Sequence, residues 1–242
     1  MTIPAVPVPG HVEEVLALLR RIAGDHMPAA LASSFSAEDM VLLDLIGRHD
    51  LEIEVFTLDT GRLPEETHRV IAEARRRYAR PIKVLSPDSS AVEGYVAEHG
   101  PNGFYECIAA RQRCCAIRKV EPLARALTGK RAWITGQRRE HSPTRGGLAV
   151  AEWDAERFIA KFNPLAGWSA ADVWAYVRAH GVPYNVLHNR GYPSIGCAPC
   201  TRAVAPGDGP RAGRWWWKSS ETKECGMHPA IRRHVASPAA AE

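Results

Sequence analysis

Ala29-Ala30-Leu31-Ala32-Ser33-Ser34-Phe35-Ser36-Ala37-Glu38-Asp39-Met40-Val41-Leu42-Leu43 is the stretch that decides the fold. Its apolar opening, Ala29 to Ser34, reads as a short buried strand, and Glu38 to Arg48 has the length and apolar spacing of a helix. The pattern then repeats: Glu52 to Leu58 is a strand, Pro64 to Tyr78 a helix, Ile82 to Leu85 a strand and Asp88 to Glu98 a helix. Upstream, Val12, Val15, Leu16, Leu19 and Ile22 recur at helical spacing, and a turn from Gly24 to Pro28 ends that helix. Downstream, Ala132 to Thr135 is a further strand, Ala149 to Trp153 and Arg157 to Lys161 pair as a hairpin, and Ser169 caps a helix that runs to His180. Strands alternating with helices of this length predict an α/β protein with a mainly parallel sheet flanked by helices on both faces. Open parallel sheets bind small molecules beyond the carboxyl ends of their strands. Three loops fall there: Ser33 to Asp39, Leu58 to Arg62, and Gly136 to Arg145.

The 242 residues, 45% of them hydrophobic, suffice for one sizeable core plus a functional tail. We divide them into a nucleotide-binding and cysteine-bearing domain, residues 1–204, and a mobile C-terminal segment, residues 205–242, which opens on the Gly/Pro-rich loop Ala205 to Gly213. No run approaches a membrane span, and the N-terminus lacks a basic region followed by an apolar run, so the expected setting is the cytoplasm, with no membrane partner. The net charge of +4 is mild, but arginines crowd Arg111 to Arg118, Arg138 to Arg145 and Arg202 to Arg214. That clustering points to a small anionic ligand rather than a nucleic acid. The Trp215-Trp216-Trp217 run is read as packing, since no extended basic stripe accompanies it. Self-association as a homo-oligomer is left open.

Six cysteines in a reducing compartment serve metals or catalysis more often than disulfides. Cys114 and Cys115 are adjacent and Cys197 and Cys200 are separated by two residues, so a four-thiolate site is possible. A vicinal pair fits a single zinc tetrahedron poorly, whereas a cluster spreads its ligands over several iron atoms. A redox dithiol at Cys197-Ala198-Pro199-Cys200 is the alternative, disfavoured because no strand leads into it and a Pro/Gly loop soon follows. Cys107 is read as a packed or bystander thiol. Cys225 stands in a polar stretch with Lys223 and His228 nearby, cations that favour the thiolate and so a nucleophile.

Taken in order, Cys114-Cys115-Ala116-Ile117-Arg118-Lys119, Thr135-Gly136-Gln137-Arg138-Arg139, Lys161-Phe162-Asn163-Pro164-Leu165, Gly196-Cys197-Ala198-Pro199-Cys200, Arg214-Trp215-Trp216-Trp217 and Glu224-Cys225-Gly226-Met227-His228 resemble the assimilatory adenylyl-sulfate reductase family. The resemblance runs from about Leu31 to His228. It implies an ATP-pyrophosphatase-like adenine-nucleotide-binding fold and a 4Fe-4S iron-sulfur cluster on Cys114, Cys115, Cys197 and Cys200. It maps the nucleophile onto Cys225, with His228 beside it, and the adenine contact onto Leu58. By the same resemblance Lys119 links cluster and substrate, and Arg211 and Arg214 face the phosphosulfate. Ser34 and Ser36, with Gly136, Arg138 and Arg145, complete the expected substrate site. The family usually carries a glycine in the serine-rich turn, where this chain reads Ser33-Ser34-Phe35-Ser36-Ala37.

The chemistry expected is attack of the Cys225 thiolate on the sulfur of adenylyl sulfate, departure of AMP, and release of sulfite by thioredoxin or a similar dithiol. Rival readings are reduction of the 3′-phosphorylated nucleotide (PAPS) by the same chemistry, an ATP pyrophosphatase that modifies tRNA, and a zinc-binding nucleic-acid module.

Overall fold

The computed structural model describes residues 10–142 and 145–217. Helix α1 (Val12–Asp25) leads into β1 (Ala29–Ala32), α2 (Ala37–Arg48), β2 (Glu54–Leu58), α3 (Glu65–Tyr78), β3 (Ile82–Leu85) and α4 (Ser89–His99). After α5 (Ile108–Cys115), a π turn (Ala116–Val120) and α6 (Glu121–Leu127) come β4 (Ala132–Ile134), the hairpin β5 (Ala151–Asp154) and β6 (Ile159–Phe162), and α7 (Ala170–Ala179).

The strands form one six-stranded sheet ordered β3-β2-β1-β4-β6-β5, parallel throughout except for the β5 edge. Side chains alternate between its faces as a period of two requires. Ala29, Leu31, Val55, Ala132 and Ile134 face the larger core with α1, α2, α3 and α7. Ala30, Phe56 and Trp133 face a second cluster built on Leu123, Ala126 and Leu127 of α6. Both faces are therefore buried, as the near-continuous apolar strands require.

Helices α5 and α6 have no counterpart in the sequence reading. Helix α5 buries Arg111 and Cys115 beside Ala110, and the π turn buries Arg118 beside Ile117, so polar residues interrupt the apolar period there; α6 buries Pro122, Leu123, Ala126 and Leu127, an apolar face on a helix of only seven residues. The Lys161-Phe162-Asn163 motif is structural. The Lys161 ammonium donates to Glu152 at 2.6 Å, and the Thr135 hydroxyl donates to Asn163 at 2.6 Å, which locks β6 to β4 just below the loop that follows β4.

The turn after β1 solves its missing glycine in another way. Phe35 takes a left-handed φ of +59°, and its ring is 1% exposed, packed in the larger core. Burial of an aromatic ring outweighs the roughly 1–2 kcal/mol that an L residue loses in this conformation. Phe35→Ala keeps the backbone strain and empties the ring's site, so it should destabilise the fold by about 3 kcal/mol, read as a lower urea midpoint with unchanged slope.

Candidate active site

The sheet reverses its winding between β1 and β4, so the loops after these two strands diverge and leave a crevice at their carboxyl ends. A cleft of about 1000 Å³ lies there. Ser34 and Ser36 line it from the β1 loop, Leu58 from the end of β2, and Gly136, Arg138 and Arg145 from beyond β4. Lys119, Arg211 and Arg214 line its other wall. The nine described residues named for substrate or catalysis thus share one cavity, whereas Cys225 and His228 lie outside the described residues.

Asp39, given no role from the sequence, holds the two diverging loops together. Its carboxylate accepts the Ser34 backbone N–H at 2.6 Å, the Ser34 hydroxyl at 2.7 Å and the Gly136 N–H at 3.1 Å. Burial pushes its pKa up, against these three donors. The Ser34 hydroxyl proton is thereby committed to the loop. Ser36 occupies the N-cap position of α2 without a side-chain capping bond and lines the cleft. Gly136 is required because a Cβ there would overlap the Asp39 carboxylate and lie 3.0 Å from its backbone nitrogen.

Arg138 is less open to a ligand than its position beyond a strand end implies. Its guanidinium contacts Glu38 at 2.9 Å, Glu140 at 3.0 Å and the Trp168 carbonyl at 3.1 Å. Arg139 donates to the Leu148 carbonyl and is not among the cleft residues, so Arg145 is the member of this arginine group with the clearest place in the wall. The backbone N–H of Arg138 donates to Nδ1 of His141, so His141 carries its hydrogen on Nε2 and donates it to Glu38 at 2.8 Å. Burial opposes ionisation of Glu38, but His141 and Arg138 outweigh it and hold the carboxyl at about 2. A carboxyl whose folded pKa is depressed stabilises the fold above its unfolded value and loses that contribution as pH falls through the folded value. Glu38→Gln should therefore cost about 3 kcal/mol at neutral pH, and the gap to wild type should close between about pH 4.5 and about pH 2 in urea titrations.

Beside the cleft, Cys114, Cys115, Cys197 and Cys200 line one small pocket together with Arg62, Arg111, Arg118 and Lys119. The two cysteine segments meet through the loop after β2: Arg118 donates to the Thr60 carbonyl at 2.6 Å, and Thr60 and Cys197 pair hydroxyl to thiol at 3.3 Å. The Ala198 N–H donates to the Arg62 carbonyl at 2.8 Å. The π turn after Cys115 shifts the helix register and puts Lys119 on the walls of both thiol pocket and cleft. Burial disfavours the thiolate at Cys197, but Lys119, the Thr60 hydroxyl, Arg214 and Arg118 hold that thiol below its usual range. Burial dominates at Cys114 and at Cys200, the latter pushed up to about 11.

Among the described residues, no three histidine, cysteine or carboxylate side chains are grouped to hold a single metal ion. The donor set nevertheless suits a thiolate-bound iron-sulfur cluster. Four thiols face one pocket, and four cations rim it against the net negative charge that such a cluster carries. Cys107 is exposed at the N-cap of α5, donated to by the Ala110 N–H, and is not packed.

A doubly wound sheet with a polar cleft at its switch point, walled by a serine loop and by arginines, defines an α/β protein of the ATP-pyrophosphatase-like, adenine-nucleotide-binding class. The model of the phosphoadenosine phosphosulfate reductase domain matches residues 28–203, and the chain belongs to that family. It is 50% identical to the adenosine 5′-phosphosulfate reductase of Allochromatium vinosum, over 96% of this chain and 92% of the relative. It is 55% identical to the enzyme of the same name from Burkholderia cepacia, over 90% and 87%. The crystal structure of phosphoadenylyl-sulfate reductase from Candida auris, a phosphate complex, superposes with a TM-score of 0.67 at 25% identity, covering 83% of this chain and all of that one. Yeast FAD synthetase, at 13% identity and a TM-score of 0.54 over 79% of this chain and 66% of that one, shares the fold.

Proposed function

We propose that this enzyme reduces adenylyl sulfate to sulfite and AMP in assimilatory sulfate reduction, through an S-sulfonate on Cys225. The observation that carries the reading is a single cleft that joins loops suited to an adenine nucleotide with Lys119, Arg211 and Arg214 beside the four-thiol pocket. The names borne by relatives at 50% and 55% identity over nearly the whole chain support the substrate.

Adenine lies against Leu58 and Gly136, and the phosphate meets Ser36 and the N-terminus of α2. The Cys225 thiolate attacks the sulfuryl sulfur as the sulfur–oxygen bond to the phosphate breaks, and AMP leaves with that electron pair. A dithiol protein of the thioredoxin type then attacks the Cys225 sulfur. Sulfite departs, a mixed disulfide forms, and the second thiol resolves it, so both electrons come from the dithiol. A thiolate approaching a dianion is repelled unless cations intervene, and guanidinium groups keep their charge at neutral pH. Arg211 and Arg214 supply that screening at the sulfate, and Lys119 supplies it on the side shared with the thiols. Cys114, Cys115, Cys197 and Cys200 are the residues that would hold a 4Fe-4S cluster, which when bound supplies fixed charge and ties the two cysteine segments together. Arg211 and Arg214 stay with the cleft, where Arg202, Thr201 and Cys200 fasten the stretch from Gly213 to Trp215. Thiols that must stay reduced set the reaction in the cytoplasm; among the described residues, no helix is long and apolar enough to cross a membrane.

Anaerobically purified protein should contain iron and acid-labile sulfide, and should release sulfite from adenylyl sulfate far faster than from its 3′-phosphorylated analogue. Preference for the analogue would reassign the substrate, and ATP cleavage to AMP and pyrophosphate would replace the reaction altogether.

A further inference from the structure

We infer that Trp215 is a positioning residue whose indole holds the guanidinium groups of Arg111, Arg211 and Arg214 as one array at the sulfate end of the cleft. This rests on the reading of the cleft as an adenylyl-sulfate site.

Three cations surround one ring. The Arg214 guanidinium lies 4.7 Å from the ring centroid, that of Arg111 4.9 Å and that of Arg211 5.8 Å. All three distances fall within the range over which the negative face of an indole attracts a cation. Arg211 and Arg214 are cleft residues and Arg111 belongs to the thiol pocket, so the ring stands at the junction of the two.

The platform is fixed by backbone rather than by fit alone. The Trp215 N–H donates to the Cys200 carbonyl at 3.1 Å, and Arg214 bridges to Thr201 in antiparallel fashion. The Arg202 N–H donates to Gly213 at 3.0 Å, which fastens this stretch to the Cys197–Cys200 turn. Trp215 itself takes a left-handed φ of +42° and is 2% exposed. A bulky residue stays in that conformation only where its surroundings over-determine it. The neighbouring rings carry fewer cations: Trp216 and Trp217 meet each other and Tyr105 edge-on, and among the described residues Trp216 has one guanidinium over it, that of Arg202 at 5.4 Å.

Three like charges gathered round one ring repel one another. An aromatic face lessens that repulsion while leaving the array positive overall, ready for a dianion. AMP lacks the sulfuryl group that Arg211 and Arg214 face, so loss of the platform must be felt by adenylyl sulfate and much less by AMP.

The test is equilibrium binding of both nucleotides to the full-length protein, purified anaerobically in a Cys225→Ser background so that substrate is not consumed. Trp215→Leu should weaken adenylyl sulfate about tenfold, the loss of one or two buried cation–π contacts, and AMP by less than about twofold; Trp215→Phe should recover most of the difference. Should Trp215→Leu fail to fold, ring-fluorinated tryptophan at position 215 keeps the shape while weakening the ring face, and affinity for adenylyl sulfate should fall in step with fluorination. Equal loss for both nucleotides, no loss for either, or indifference to fluorination overturns the inference. A Cys225→Ser parent that shows no preference for adenylyl sulfate over AMP would instead count against the substrate assignment itself.

Discussion

Cys225→Ser protein, given adenylyl sulfate and reduced thioredoxin, should release sulfite at less than about one ten-thousandth of the wild-type rate while binding AMP within about twofold of it. The loss is expected to be near complete for two separate reasons. A serine hydroxyl is scarcely ionised at neutral pH, so the attack itself is slow. Were it to occur, the product would be an oxygen sulfate ester, which offers a dithiol no sulfur–sulfur bond to cleave. Unchanged AMP affinity separates this result from a collapse of the fold, because the adenine and phosphate loops belong to the sheet and not to the Cys225 segment.

Gly196→Ala should cost activity far more than it costs stability. An added Cβ would overlap the guanidinium of Arg214, lying 2.6 Å from its Nη1. That group is the far end of a flexible side chain, which now donates to the Ile195 carbonyl at 3.2 Å, so it can swing away without breaking the fold. Stability should therefore fall by about 1 kcal/mol or less, while kcat/KM for adenylyl sulfate falls about 10²- to 10³-fold, the usual loss when a charge-stabilising donor leaves a reacting centre. Denaturant melts and steady-state sulfite release on one preparation give both numbers. A large stability loss with unchanged kcat/KM would mean that Arg214 braces the turn and does not serve the substrate.

The sheet was legible because its strands and helices follow the periods that burial imposes. Ala29 to Ala32, the β2 segment and Ile82 to Leu85 all stand where apolar runs foretold, and the hairpin before α7 pairs β5 with β6 as read. Helix α5 was not legible, since the face it buries carries an arginine and a cysteine in place of an apolar stripe, and the apolar face of α6 spans only seven residues. Ser34, Ser36, Gly136, Arg138 and Arg145 could be named from their places after strand ends, whereas Lys119, Arg211 and Arg214 were named only through the family resemblance. Their mutual arrangement could not be read. Asp39 and Glu38 look in sequence like ordinary acids complementing the dipole of α2, yet one staples two loops and the other neutralises Arg138. Phe35 shows the same limit from the other side: a buried ring stands in a left-handed turn that a glycine would take at no steric cost. Trp215 reads as one of three adjacent aromatic residues, and only the fold distinguishes the ring that gathers three guanidiniums from Trp216, with one, and from Trp217.

Covalent transfer to Cys225 is tested most directly by mass spectrometry of the protein mixed with adenylyl sulfate and no reductant. The peptide containing Cys225 should gain one SO₃ unit while the chain releases one AMP, and reduced thioredoxin should remove that unit as sulfite. An SO₃ unit on any other cysteine, or sulfite formed while Cys225 stays unmodified, would contradict it.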